Sequence, residues 1–146
     1  MKRLTLCGSL LAIVGSAIGF TVPATAIEAI FRSTTQSLSL PFNNDEQLII
    51  HRVTVPAGSK VITYSVTTYN FEVGEFVRCG LRADGSFVEQ HTAAVGGGIS
   101  ATNAATISGV TYRTSSVPYT LDLVCSHDGA GTSIPNIEAY AELAVF

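Results

Sequence analysis

Few reactive side chains occur in this chain, and their spacing limits what they can do. Ser126, His127 and Asp128 put the three residue types of a hydrolytic triad side by side. Triad members converge from separate elements, so three consecutive residues cannot form one. No G-x-S-x-G turn is present to raise a nucleophile. The run reads as a polar turn. His51, His91 and His127 are spread along the sequence, without the short spacings of a metal site. Glu138 and Glu142 fall on one strand face, about 13 Å apart at the rise of a strand. That exceeds the separation of a glycosidase acid pair. Asn43-Asn44-Asp45-Glu46 and His127-Asp128-Gly129 are oxygen-rich enough to hold Ca²⁺, and turn chemistry explains them equally well. No catalytic residue, metal ligand set or cofactor is assigned, and the chain is expected not to be an enzyme.

Cys79 and Cys125 carry the clearest chemistry. Their meaning depends on the start of the chain. Lys2 and Arg3 precede an uncharged apolar stretch over residues 4–20, Pro23 lies just beyond that stretch, and Ala24-Thr25-Ala26 supplies small residues at a cleavage site. This pattern predicts a signal peptide over residues 1–26 and a domain over 27–146. The apolar stretch, broken by Gly8, Gly15 and Gly19, is short for a transmembrane helix. Cys7 leaves with the signal. The two remaining cysteines enter an oxidising compartment, where a disulfide is the default. The chain is therefore expected outside the cytoplasm, as a secreted, periplasmic or cell-surface protein without a membrane span after cleavage.

Composition narrows the partners. The 146 residues include 13 Gly, no Trp and only 13% charged side chains. Beyond residue 26 the basic residues are Arg32, Arg52, Lys60, Arg78, Arg82 and Arg113, against all 11 acidic ones, a net charge of −5. An acidic surface of this kind does not seek nucleic acid or anionic lipid. A glycan site usually shows exposed aromatic rings. Without Trp, tyrosine must serve, and Tyr140 between Glu138 and Glu142 on an outward strand face is the candidate ligand-binding residue.

The elements that must position these groups are strands. Alternating β-branched and aromatic residues mark strands over 46–55, 60–69 and 75–82, with a tight turn at Asp84-Gly85 and a return over 86–95. Residues 33–40 form an extended polar stretch. Residues 92–112 carry no charge and contain Gly96-Gly97-Gly98, which reads as a loop followed by a strand over 104–110. Strands over 117–125 and 137–146 follow, with Pro118 suggesting that the first of these begins at a sheet edge. Both cysteines fall on the apolar faces of their strands, so their bridge is expected to be buried. About seven to nine antiparallel strands in one domain indicate an all-β chain forming a single β-sandwich.

The runs Val53-Thr54-Val55-Pro56-Ala57-Gly58-Ser59, Arg78-Cys79-Gly80-Leu81 and Leu121-Asp122-Leu123-Val124-Cys125-Ser126 resemble a loose group of small secreted bacterial β-sandwich domains of jelly-roll type. That resemblance implies a jelly-roll-like sandwich with one inter-strand disulfide. The function expected is a non-catalytic surface, envelope or binding module, with a protein or glycan partner at the cell surface. The alternatives are a carbohydrate- or protein-binding domain with its site on the loops, a small outer-membrane barrel, or an inhibitor.

Overall fold

Alternation along the sequence builds ten strands. They are β1 (Ile30–Ser33), β2 (Leu38–Ser39), β3 (Leu48–Val55), β4 (Gly58–Tyr69), β5 (Glu75–Ala83), β6 (Ser86–Val95), β7 (Ala104–Ser115), β8 (Tyr119–His127), β9 (Asn136–Ile137) and β10 (Glu142–Val145). This computed structural model describes residues 29–34, 38–40, 47–71, 74–96, 103–128, 136–137 and 141–146. The signal peptide over 1–26, Tyr140, and the 43–46 loop lie outside the described residues. β2 and β9 have two residues each, and the other eight strands fall within the expected number.

Two antiparallel sheets result. One has the order β3-β8-β5-β6. The other is built on β4, whose one edge pairs with β7 from Gly58↔Ser115 to Tyr69↔Ala104. The opposite edge of β4 takes β10 at Ile62–Ser65 and β9 at Thr68 and Tyr69. Outside these, β1 pairs with β10 and β2 with β9. With β1/β2 and β9/β10 counted as interrupted first and last strands, one sheet holds strands one, eight, three and six. The other holds two, seven, four and five. That is the arrangement of a jelly roll. A membrane barrel needs one closed sheet, whereas these strands form two sheets packed face to face.

The period-2 apolar sets fill the space between the sheets. Ile62, Tyr64 and Val66 of β4 and Leu143 and Val145 of β10 are buried there, as are Val77, Leu81, Leu121 and Leu123 from the other sheet. Cys79 and Cys125 are direct partners on β5 and β8, 4.2 Å apart at Cα, and form the expected disulfide inside this core. The bridge staples neighbouring strands of one sheet and does not join the two sheets. Asp84 and Gly85 have φ of 49° and 83°, the left-handed pair that a two-residue hairpin turn requires.

Three expectations change. β7 runs on to Ser115, because it follows β4 for its full length; its small Thr, Ser, Ala and Gly residues hide the alternation. β8 begins after Pro118 and is central, between β3 and β5, so the proline does not mark an edge. Ser126 and His127 end this strand, and both are buried. They are not a polar turn, because β8 pairs with β5 as far as Val77↔His127.

Candidate functional site

Each sheet also has an outer face, and the two differ in chemistry. On β4 the residues facing away from the core are the odd-numbered ones, starting at Ser59; on β7 they are the even-numbered ones. Strand register arranges them in rows across the sheet. Phe146 pairs through its backbone with Val61, which pairs with Tyr112. The next row is Phe31, Ala144, Thr63 and Val110. The third is Ser33, Glu142, Ser65 and Ser108. Thr67 and Thr106 follow, their hydroxyls 3.0 Å apart.

The first two rows are apolar and open to water. Phe31 is 55% exposed, Val61 41%, Val110 70%, Tyr112 66% and Phe146 48%. These five large side chains are neighbours on two adjoining rows. A concavity of about 670 Å³ is lined by three of them, Phe31, Val110 and Phe146, with Thr63, Ser65, Ser108, Glu142 and Ala144 beside them, and reaches Glu89 and His91 at its base. Glu142 is the one charged residue on this face among the described residues. Hydroxyls supply the rest of its polarity: Ser59 bonds Thr114 at 3.0 Å, and Thr114 donates to the Tyr112 hydroxyl at 3.3 Å.

The β3-β8-β5-β6 sheet turns charges outward, with Ile49, Phe76 and Phe87 exposed singly on three different strands. Arg52, Asp122 and Arg82 stand side by side on β3, β8 and β5. Two Arg52 nitrogens donate to the Asp122 carboxylate, at 2.7 and 3.0 Å, and Arg82 adds a contact at 3.4 Å. The hydrogen bond from Arg52 holds the Asp122 carboxyl below the usual carboxylate range, against its burial, with the positive charges of Arg52 and Arg82 acting in the same direction. Arg78 pairs with Asp128 nearby. Charges on this face are thus matched within the molecule.

A third cluster closes the edge where β6 meets β7. Glu89 and His91 point inward from β6, and His91 Nε2 lies 2.7 Å from Glu89 Oε1. The Glu89 carboxylate and the Tyr64 ring occupy the space beneath Gly109, where any Cβ would collide with them. The Tyr64 hydroxyl donates to the Cys79 carbonyl across the core at 3.4 Å, and burial, followed by the Glu89 charge, pushes its pKa up. The pair lines the same concavity as the Thr63, Ser65 and Ser108 hydroxyls. The arrangement is an inter-sheet polar plug, with His91 half-exposed and Glu89 mostly covered.

The residues singled out from sequence scatter in space. His51 faces inward, in phase with Val53 and Val55, and its Nε2 lies 3.0 Å from the Ala141 carbonyl just before β10; the bulge between Ile49 and His51 turns Ile49 outward instead. His127 lies buried with its Nδ1 3.8 Å from Glu75 Oε2. Asp128, beyond β8, pairs with Arg78, the register partner of Ser126, whereas His127 turns inward, so the Ser126-His127-Asp128 run does not converge. No group of three or more His, Cys, Asp or Glu side chains suited to a metal occurs among the described residues. Tyr64 and Tyr119 are core residues, whereas Tyr112 is the most exposed tyrosine described. The apolar rows were missed by sequence reasoning. Their trace is the adjacent pair Val61-Ile62, which makes both faces of β4 apolar, and the out-of-phase Val110 on a strand read as ending there.

No family model and no curated protein matches the chain. Solved structures do. The structure of infectious bursal disease virus, Gx strain, is similar at 18% identity with a TM-score of 0.52, over 80% of this chain and 30% of that chain. T=1 particles derived from the same virus give 13% identity and a TM-score of 0.52, with the same coverage. The Gt strain gives 15% identity and a TM-score of 0.50, over 88% of this chain and 35% of that one. The likeness is one of fold. The chain spans about a third of the length of these viral chains. No helix among the described residues is long and apolar enough to cross a membrane.

Proposed function

We propose that the protein is a non-catalytic, exported jelly-roll module that works by protein contact, through the outer face of the sheet built on β4. The contiguity of Phe31, Val61, Val110, Tyr112 and Phe146 carries this reading. Scattered exposed apolar side chains are ordinary on a soluble protein, but an adjoining set on one face marks an interaction surface. The opposite face supports the contrast, since its charges already have partners. A role at the cell surface or in the envelope agrees with the signal peptide expected from the sequence and with a disulfide, which persists in oxidising compartments.

A second reading places a neutral glycan in the same concavity. The hydroxyls of Thr63, Ser65 and Ser108 beside the Phe31 and Phe146 rings favour it. In vivo photo-crosslinking separates the two. A photoreactive residue at position 110 should yield protein adducts in the producing cells, and one at position 54, on the opposite outer face, should not. Glycan binding without protein adducts from position 110 selects the second reading. Adducts from position 54 alone would refute both.

A further inference from the structure

We infer that the occupant of this face is a second copy of the same chain. The inference rests on the docking face described above and adds the partner.

Charge argues first. The chain is net acidic, so two copies repel unless they approach through a surface free of charge. The apolar rows are such a surface. No Lys or Arg projects from this face among the described residues; Glu142 is its single outward acid, and Glu89, reaching the base of the concavity, is paired with His91. A strongly basic or acidic partner would find no complementary cluster here. A neutral apolar patch is complementary to itself, which is the requirement of a two-fold contact. A two-fold axis parallel to the rows, between the first and second, sets apolar against apolar. It leaves each Glu142 at the margin, in contact with water.

Size argues next. β4 and β7 each run 12 residues. At about 3.3 Å per residue and about 4.8 Å between strands, the two give a strip of roughly 400 Å² in projection. The part of the sheet carrying β10 and β1 adds roughly 150 Å² by the same spacings. Accessible area exceeds projection on a surface of side chains, so the face approaches the about 800 Å² per partner of a standard interface. The opposite face is a poorer seat. Arg52 is 59% exposed there, and covering it would strip water from a charge already shared with Asp122.

Sedimentation velocity on protein purified from cells expressing the full chain tests the inference. The expected result is a concentration-dependent dimer. Phe31→Glu with Val110→Glu, two charges within the apolar rows, should weaken self-association by about a hundredfold or more. Thr54→Glu on the opposite face should leave it unchanged. Should the double variant fail to fold, Val110→Glu alone tests the same point, because position 110 is exposed on an edge strand. A wild-type monomer at all concentrations overturns the inference, as does an oligomer that Val110→Glu leaves intact. A monomer that still gives protein adducts from position 110 removes the second copy and keeps the docking face. A monomer without such adducts removes both.

Discussion

The two outer faces of this sandwich come from the same period-2 alternation, yet they solve opposite problems. On the β3-β8-β5-β6 sheet, Arg52 and Arg82 bracket Asp122 from the strands on either side, and Arg78 meets Asp128. That face is finished in water. On the β7-β4-β10-β1 sheet, Phe31, Val61, Val110, Tyr112 and Phe146 have no such answer within the described chain. A strand's inward residues are set by the core. Its outward residues are free to differ, and here one sheet pairs its charges while the other sets large apolar side chains next to one another.

Substitutions can break or sharpen this contrast. The largest effect is expected from the disulfide, which reinforces only the ion-paired sheet. It closes a sequence separation of 46 residues. Cys79→Ser with Cys125→Ser should cost about 2–5 kcal/mol in denaturant titration. An unchanged midpoint would show that this sheet needs no staple. Gly109→Ala comes next. Its methyl group would overlap the Tyr64 ring and the Glu89 carboxylate, so a loss of about 1–3 kcal/mol is expected in the same titration.

Asp122→Asn probes the ion-paired face directly. Asp122 has a folded-state pKa below its ordinary value, so its contribution is present above the normal carboxylate range. It is lost as pH falls through the folded-state value. The variant should lose about 1–2 kcal/mol at neutral pH, since Arg52 is largely exposed and screened by water. It should also show a shallower decline of melting temperature in acid. An acid profile identical to wild type would mean that another carboxylate governs it. The smallest effect is expected from Val110→Thr on the docking face. Its exposure should keep the stability of the isolated monomer within about 0.5 kcal/mol, measured by dilute thermal melts.

The inward half of this molecule was legible in the sequence. Val77, Cys79 and Leu81 alternate with polar or small neighbours, and Leu121, Leu123 and Cys125 keep the same spacing, so both periods point at the core. The cysteine pairing followed from Cys79 and Cys125 being the two left beyond the expected signal, and its burial from the same alternation. The docking face was harder to see because its strands break the rule that exposes a face. Val61 stands next to buried Ile62, so β4 reads as generally apolar, not as two-sided. The start of β7 reads as weak, since its inward positions include Ala105, Gly109 and Thr111 in place of large apolar residues. His127 misled for a related reason. A polar-looking Ser-His-Asp run resembles a turn until pairing with β5 shows that the strand continues through it.

The register of the last strand sets an order in time. β10 pairs with β1 on one side and β4 on the other, so the apolar rows take Phe31 from the beginning of the described chain and Phe146 from its far end. A polypeptide made from its N-terminus can close the β5-β6 hairpin early, because that needs only neighbouring residues. It cannot assemble the β1-β10-β4 rows until β10 has emerged. The apolar rows are therefore the last part of the described sandwich to form. A chain truncated before β10, or one in which β10 has not yet emerged, lacks the face, and association through it would await that strand.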